Sequence, residues 1–414
     1  MSNDFQEPSL ESGSILCADW GKTRSKRALY VADISTRSIR RMKSDAGWSA
    51  GEILARSEQL SSRGPVLVGF DVPFGVPHSY FSSARTALGL RSVVNFVDYL
   101  RSISSMPNFF ESTCSPHQWK LGQPFFAVPA GEGSLAAFRN AAARQGVELF
   151  RRVDRATKAK SLFITSGIPG SIGSAAVSLW QEIVSLRENG RNFRMWPFEG
   201  DLGTLLLTGP VTFAEVYPRA AYSTALLEGS STHRPALALA KTDANVRYAA
   251  IEVLKNSSWV RLHEVLIENL DEARMSEDDF DACLTAAALL RCQLESLPLY
   301  SDDFTDQIEG GILGTGSINL SLKERSSLQS QRPATPVPVP KSPATKTAGA
   351  YEGGVFRCPI EDCGKVYRGT RGGWDAHIAS MRNHPHWCPH LPLPADRKAR
   401  FKIEFPEFFR SHPP

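Results

Sequence analysis

Two aspartates stand at the ends of apolar stretches, where a carboxylate would be held rigidly at the edge of a sheet. Asp19 ends the apolar run of residues 15–18, and Asp71 ends a second run at residues 66–70. Both runs have the composition of buried β-strands, and neighbouring strands lie about 4.8 Å apart. If these strands are neighbours, the two carboxylates can share a divalent cation, which prefers oxygen ligands. An aspartate beside a turn is otherwise most often an ordinary turn residue.

Two further acidic residues interrupt apolar patterns. Glu215 lies inside the apolar run of residues 210–218, where an ionised carboxylate is costly unless it is paired or binds a metal. Asp281 lies on a helix predicted to begin after the N-cap Ser276. The acids in the first turn of that helix complement the helix dipole, and Asp278 shares a helix face with Asp281. The dipole explains Asp281 less well, because this residue interrupts the apolar face.

Two cysteines and two histidines near the C-terminus have a spacing suited to structural zinc. Cys358, Cys363, His377 and His384 are separated by four, thirteen and six residues, and two thiolates with two imidazoles form a tetrahedral zinc site. The pattern resembles the two-Cys two-His zinc finger, a unit too small to fold without its metal. His386 is a rival fourth ligand. A finger of this type predicts nucleic-acid contact, and docking of a protein partner is the alternative.

Composition and charge indicate an ordinary globular body with a basic tail. The 414 residues are 42% hydrophobic, and no apolar run approaches the roughly 20 residues that span a bilayer, which predicts no membrane association. Four scattered cysteines in apolar surroundings suit a reducing, cytoplasmic location. Residues 321–414 hold 15 Lys and Arg against 8 Asp and Glu, whereas residues 1–320 hold 32 against 35. The tail is therefore the better candidate for holding a polyanion.

The same patterns divide the chain into four parts. Residues 1–12 are predicted to be a flexible N-terminus. Residues 13–320 form an α/β domain with a mixed sheet and a long helical insertion at about 76–195, including helices at 92–104, 135–152 and 174–188. Residues 321–350 are rich in Pro, Ser and Thr and predict an extended linker. Residues 351–414 form the zinc-finger-like domain and a basic tail.

Six short motifs together resemble the family described as predicted RNase H-like nucleases. They are residues 18–21 (ADWG), 69–75 (GFDVPFG), 196–200 (WPFEG), 214–218 (AEVYP), 281–286 (DACLTA) and 309–314 (EGGILG). The resemblance covers residues 13–320 and implies a ribonuclease H-like fold, with about five strands in a mixed sheet and acidic residues at its centre. It makes Asp19, Asp71, Glu215 and Asp281 the catalytic carboxylates, with Asp19, Asp71 and Asp281 as ligands of Mg²⁺ or Mn²⁺.

Such a cluster implies phosphodiester hydrolysis with two metal ions, which need several carboxylates to neutralise them. Lys241 or Arg247 is then a candidate for stabilising phosphate charge. Two alternatives stay open. Residues 19–23 also resemble the first phosphate loop of the actin and sugar-kinase superfamily, which implies an ATP-binding phosphotransferase, although no second such loop is found. A non-catalytic adaptor that docks a protein through the finger is the other alternative.

Overall fold

The computed structural model describes residues 12–129, 134–229, 234–325, 355–360, 366–368 and 394–405, together with Cys363, His377 and Trp387. The predicted N-terminal segment up to residue 11 and most of the predicted linker lie outside these residues. The chain divides into two compact units, Met1–Arg332 and Pro333–Pro414. Within the described ranges, no helix is both long and apolar enough to cross a lipid bilayer.

The first unit contains one large sheet and two small ones. The strands are β1 (Ser14–Asp19), β2 (Ala28–Asp33), β3 (Ser38–Met42), β4 (Val66–Phe70), β5 (Phe126–Ala127), β6 (Ile164–Ser166), β7 (Arg194–Met195), β8 (Val211–Val216), β9 (Arg234–Ala238), β10 (Leu266–Ile267), β11 (Ile312–Leu313) and β12 (Ile318–Arg325). The large sheet has the order β10-β3-β2-β1-β4-β8-β11, with β7 also paired to β8. Strands β5 and β6 form one two-stranded sheet, and β9 and β12 form another.

The large sheet is mixed, as the sequence predicts. Strands β1, β2 and β3 are antiparallel neighbours, whereas β4 runs parallel to β1 and β8 runs parallel to β4. These five strands have five or six residues each, and three strands of two residues each extend the sheet to eight. Because β1 and β4 are parallel, their C-terminal ends meet at one edge of the sheet.

Helices cover both faces of this sheet. They are α1 (Ala50–Leu60), α2 (His78–Ala87), α3 (Phe96–Ser104), α4 (Ser134–Arg144), α5 (Arg152–Thr157), α6 (Gly173–Glu188), α7 (Leu202–Thr208), α8 (Pro218–Leu226), α9 (Ala244–Asn256), α10 (Ser258–Leu262), α11 (Leu270–Met275) and α12 (Glu277–Leu294). The helix predicted over 135–152 ends at Arg144, because the chain turns at Gly146, whose φ is +69°, and α5 begins only at Arg152. Ser276 is confirmed as the N-cap of α12 and accepts a hydrogen bond from the Asp279 amide.

Alternate residues of β1 supply two hydrophobic cores. Leu16 and Ala18 pack with residues of α1, α2, α3 and α6 on one face, and Ile15 and Cys17 pack with α8, α9 and α12 on the other. A strand that is buried on both faces has apolar residues along its whole length. For this reason the residues before Asp19 do not alternate between apolar and polar. Strand β12 continues to Arg325, so it enters the segment predicted as linker.

The second unit is described over a smaller part of its length. Strands β13 (Val355–Arg357) and β14 (Val366–Arg368) pair in antiparallel fashion, and a helix spans Pro394–Glu404. Cys358 and Phe401 are buried. The two strands flank the position of Cys358 and Cys363, which places both cysteines in or beside a short hairpin.

Candidate metal centre

Three of the predicted site residues meet at the C-terminal edge of the central strands. Asp19 ends β1, and Asp71 directly follows β4, where its amide donates a 3.0 Å hydrogen bond to the carbonyl of Ala18. Asp281 lies on α12, which packs across β1 and β2. One carboxylate oxygen from each aspartate lies within 4.8 Å of the other two. The structure thus brings together three carboxylates from three separate elements.

The turn after Asp19 is held by Arg27, a contact that the sequence alone did not reveal. The Arg27 guanidinium lies 3.4 Å from the centre of the buried Trp20 ring. It also donates hydrogen bonds to the carbonyls of Gly21, at 2.8 Å, and Trp48, at 2.7 Å. These contacts fix the backbone on the C-terminal side of Asp19, so the carboxylate has a defined position at the sheet edge.

Two residues hold Asp281. The Tyr222 hydroxyl on α8 donates a hydrogen bond to one carboxylate oxygen, and the Lys241 ammonium forms an ion pair with the other. Lys241 is one of the two cations that the sequence suggests for stabilising phosphate charge. The other, Arg247, is buried and donates hydrogen bonds to backbone carbonyls, including that of Lys241 at 2.6 Å. Arg247 therefore has a structural role, and Lys241 is the cation at the site.

The cluster holds more carboxyl groups than its cationic neighbour Lys241 could neutralise if all of them were ionised. Burial, and then repulsion by Asp71 and Asp281, raises the pKa of Asp19 well above its ordinary value. Burial and repulsion by Asp281 raise the pKa of Asp71 to about 8, although Lys241 opposes the shift. Burial also raises the pKa of Asp278, one turn before Asp281, with repulsion by Asp281 adding to it. One ammonium therefore faces at least three carboxyl groups.

The donor set fits a hard divalent cation. Mg²⁺ and Mn²⁺ prefer carboxylate oxygens, and a carboxylate oxygen that accepts one hydrogen bond keeps a second lone pair. Lys241 has a side chain that is 36% exposed, so it can move aside without leaving a buried cavity. A divalent ion at this position would replace repulsion among the aspartates by attraction to a common charge. Asp19, Asp71 and Asp281 are the residues that would hold it.

The free energy of unfolding of the metal-free protein is expected to decrease as the pH rises from about 4 to about 8. The folded protein keeps a proton on Asp71 up to about pH 8, whereas the unfolded chain releases it near the ordinary pKa of 3.8. Over this window the folded state binds more protons, so deprotonation favours unfolding. Because Mg²⁺ binds ionised carboxylates, it should raise the melting temperature more near pH 8 than near pH 5.

Calorimetry of the full chain with and without Mg²⁺ measures both effects. Thiolate and imidazole ligands do not favour Mg²⁺, so the carboxylates of the first unit dominate its effect. Asp71→Asn is the matched control, and it should reduce both the pH dependence and the stabilisation by Mg²⁺. A stabilisation by Mg²⁺ that is equal at the two pH values would contradict the proposed protonation of the cluster.

The fourth predicted carboxylate, Glu215, has a different environment. It is buried on β8, and Arg151 binds both of its oxygens at 2.6 and 2.7 Å. Burial raises the pKa of Glu215 to about 7, although Arg151 favours the ionised form. Among the described residues, Glu215 does not belong to a group of side chains that could hold a metal ion. The structure places it in an ion pair, which is the other way in which a buried carboxylate is stabilised.

This ion pair fixes the loop that follows Asp71. Glu215 accepts a 2.7 Å hydrogen bond from the amide of Phe74, and Arg151 donates 3.0 Å hydrogen bonds to the carbonyls of Phe74 and Glu309. Glu309 in turn accepts hydrogen bonds from the amides of His78 and of the residue after Arg151. Glu215 and Arg151 therefore act as positioning residues for the Asp71 loop.

Three of the residues predicted to bind zinc lie close together. Atoms of Cys358, Cys363 and His377 that could bind a metal lie within 4.8 Å of one another. The Cys363 sulfur lies 3.2 Å from Nε2 of His377. Two sulfurs and an imidazole nitrogen suit zinc, which takes four such ligands. The predicted fourth ligand, His384, and its rival His386 lie outside the described residues.

Comparison of the chain with protein-family models, with curated proteins and with solved structures found no match. Its function is therefore argued from the geometry and chemistry of its own residues.

Proposed function

We propose that the first unit is a metal-dependent nuclease that hydrolyses phosphodiester bonds. The observation that carries this proposal is the convergence of Asp19, Asp71 and Asp281 within 4.8 Å, with burial raising the pKa of each and repulsion within the cluster adding to the rise at Asp19 and Asp71. A ribonuclease H-like fold is part of the proposal. It is supported by the mixed sheet, by the central position of β1 among its five longer strands, and by acidic residues on the first strand, after the fourth strand and on the long helix.

The residues of the chain have distinct roles in this proposal. Asp19, Asp71 and Asp281 bind Mg²⁺ or Mn²⁺, which when bound lowers the pKa of a water molecule and stabilises charge on the phosphate. Tyr222 keeps Asp281 oriented through its hydrogen bond. Lys241 pairs with Asp281 in the metal-free protein, and its exposed ammonium is placed to contact a phosphate when the metal binds. These roles require no residue outside the first unit.

The second unit is proposed to bring the nuclease to its target. Zn²⁺ at Cys358, Cys363 and His377, with His384 as the expected fourth ligand, would fold the finger. The basic charge of residues 321–414 favours nucleic acid over protein as the partner. A cytoplasmic location belongs to the same proposal, since Cys17 and Cys283 are buried free thiols, which suit a reducing compartment.

A non-catalytic adaptor is the second candidate, and one observation favours it. The ion pair between Lys241 and Asp281 already supplies the cluster with a cation, which a purely structural site would also need. An ATP-binding phosphotransferase has less support. The superfamily suggested by residues 19–23 duplicates its fold, and the described residues contain one sheet of more than two strands.

A hydrolysis assay separates the two candidates. The full chain is incubated with labelled single-stranded and double-stranded DNA and RNA and with an RNA–DNA hybrid, in Mg²⁺, in Mn²⁺ or in excess chelator. A nuclease should cut at least one of these substrates with either metal and none with the chelator. Lys241→Met adds a second test, because it should slow cleavage by a nuclease, whereas in an adaptor, which cuts nothing, it should only lower stability. If no substrate is cut with either metal, the nuclease is contradicted.

A further inference from the structure

A basic groove lies on the first unit, away from the carboxylates. It has a volume of about 430 Å³ and lies between β3 and the C-terminal half of α1. Nine residues line it, of which five are cationic and none is acidic or aromatic. The cations are Arg40, Arg41, Lys43, Arg56 and Arg63. Because residues 1–320 as a whole carry a slight excess of acidic residues, this concentration of positive charge is local.

Most of these cations are available to a ligand. Only Arg41 forms a close ion pair, with Asp279. Lys43 is 69% exposed and lies 3.9 Å from the nearest oxygen of Glu272, a distance at which an exposed pair contributes little. Within the described residues, neither Arg40 nor Arg63 has an acidic partner. The groove therefore presents charge that the described part of the protein does not neutralise.

The strand register relates this groove to the carboxylates. Asp19 pairs with Ala28 across β1 and β2, and Leu29 pairs with Met42 across β2 and β3. Lys43, which follows Met42, is therefore level with Asp19 and two strands away. Because neighbouring strands lie about 4.8 Å apart, the backbone of Lys43 lies roughly 10 Å from that of Asp19. Arg41, which pairs with Asp279 of α12, and Lys43, which approaches Glu272, lie on the sheet face that carries the cluster, whereas the groove wall formed by α1 lies on the other face.

Regularly spaced cationic side chains line the helix side of the groove. Arg56 and Arg63 are seven residues apart, with Gln59 between them, so the three side chains follow one face of α1 and the turn after it. Gln59 accepts a 3.0 Å hydrogen bond from Arg56, which orients that guanidinium. On the strand side, Arg40 is exposed. Cations thus line both walls of the groove.

We infer that this groove binds the phosphodiester backbone of the nucleic acid that the carboxylate cluster cuts. The inference rests on the proposed nuclease function. Guanidinium groups bind phosphate oxygens through paired hydrogen bonds. Contacts to phosphate position a nucleic acid without reading its sequence, and the groove has no aromatic side chain on which a base could stack. The groove therefore holds the nucleic-acid strand through its phosphates, independently of sequence.

The test compares two double variants that remove the same charge. Arg40→Gln with Arg63→Gln changes the groove, whereas Arg139→Gln with Arg144→Gln changes two exposed arginines on α4. Binding of labelled single-stranded RNA and DNA to the full chain is measured over a range of salt concentrations, in buffer without added Mg²⁺ or Mn²⁺ so that cleavage does not proceed and zinc is not removed. The groove variant should bind roughly tenfold more weakly at low salt, and the slope of log affinity against log salt should fall by about 1.4. The α4 variant should match the wild type.

Each outcome bears on one of the two proposals. If the wild type cuts nucleic acid but both double variants bind like it, the groove inference is wrong and the nuclease stands. If the wild type binds and the groove variant loses affinity without any cleavage by the wild type, the groove is supported and the nuclease is not. Loss of binding that depends on the sequence of the oligonucleotide would contradict backbone recognition.

Discussion

Asp19→Asn is expected to lower the hydrolysis rate by at least about 10²- to 10³-fold, because a bound metal contributes several kcal/mol to stabilising the transition state. The melting temperature of the metal-free protein should stay the same or rise. The substitution removes a carboxyl group whose pKa is raised by burial and by repulsion from Asp71 and Asp281, so ionised Asp19 destabilises the folded state. Asp71→Asn should behave alike. Activity and melting temperature are measured on the same samples.

Glu215→Gln is the matched comparison, since it is the same kind of change on β8, two strands from β1. Glu215 binds Arg151 through both oxygens. Arg151 keeps its pair with the buried Asp154, so the expected cost is that of losing hydrogen bonds between charged groups, about 1.5–3 kcal/mol each. This variant should therefore lose stability strongly, in contrast to Asp19→Asn. A strong loss of stability for Asp19→Asn would instead identify Asp19 as a structural hydrogen-bonding residue, in contradiction of its role as a metal ligand.

Removal of zinc is expected to unfold the second unit and leave the first unit folded. Structural zinc contributes about 10–16 kcal/mol to the folding of isolated finger peptides, far more than so small a core supplies. The predicted linker contains almost no large apolar residues after residue 328, so it cannot couple the two cores. Hydrogen exchange with and without a zinc chelator should show new exchange in residues 355–405 and unchanged protection in β1, β4 and α12.

Cys363→Ser provides the same test without chelator and should reproduce the loss of protection in the second unit. Deletion of residues 333–414 then tests recruitment, because it removes the finger but leaves β12 intact. The deletion should weaken substrate binding and flatten its salt dependence. Unchanged binding with an unchanged salt slope would contradict recruitment by nucleic-acid contact and favour a protein partner for this unit. Loss of protection in the first unit on chelation would contradict independent folding.

The sequence predicted the parts of the site that depend on local patterns. Asp19 and Asp71 end apolar runs, and a strand with both faces buried must be apolar along its length, so its polar end is conspicuous. Asp281 was recognisable because it interrupts the apolar face of a helix with a clear N-cap. In each case the signal lies within a few residues of the carboxylate, where strand and helix periodicity still apply.

Contacts between distant segments were not predictable in this way. The cost of burying Glu215 indicated a partner or a metal, but the partner is Arg151, 64 residues away within the insertion. Lys241 reaches Asp281 across 40 residues, and nothing in its immediate sequence distinguishes it from Arg247, which packs against backbone carbonyls. The basic groove also combines segments of β3 and α1, and neither segment alone indicates a binding site in the sequence. Tertiary packing, which local periodicity does not encode, creates all three arrangements.

The most direct measurement of the central claim is a crystal structure of the full chain soaked in Mn²⁺, with anomalous scattering used to locate the metal. We expect a Mn²⁺ peak among Asp19, Asp71 and Asp281, within about 2.0–2.6 Å of an oxygen of each, and Lys241 displaced from Asp281. An Asp19→Asn crystal soaked in the same way should show a weaker peak or none. A wild-type crystal in which Lys241 remains bound to Asp281 and no peak lies between the three carboxylates would contradict the metal centre and the nuclease proposed from it.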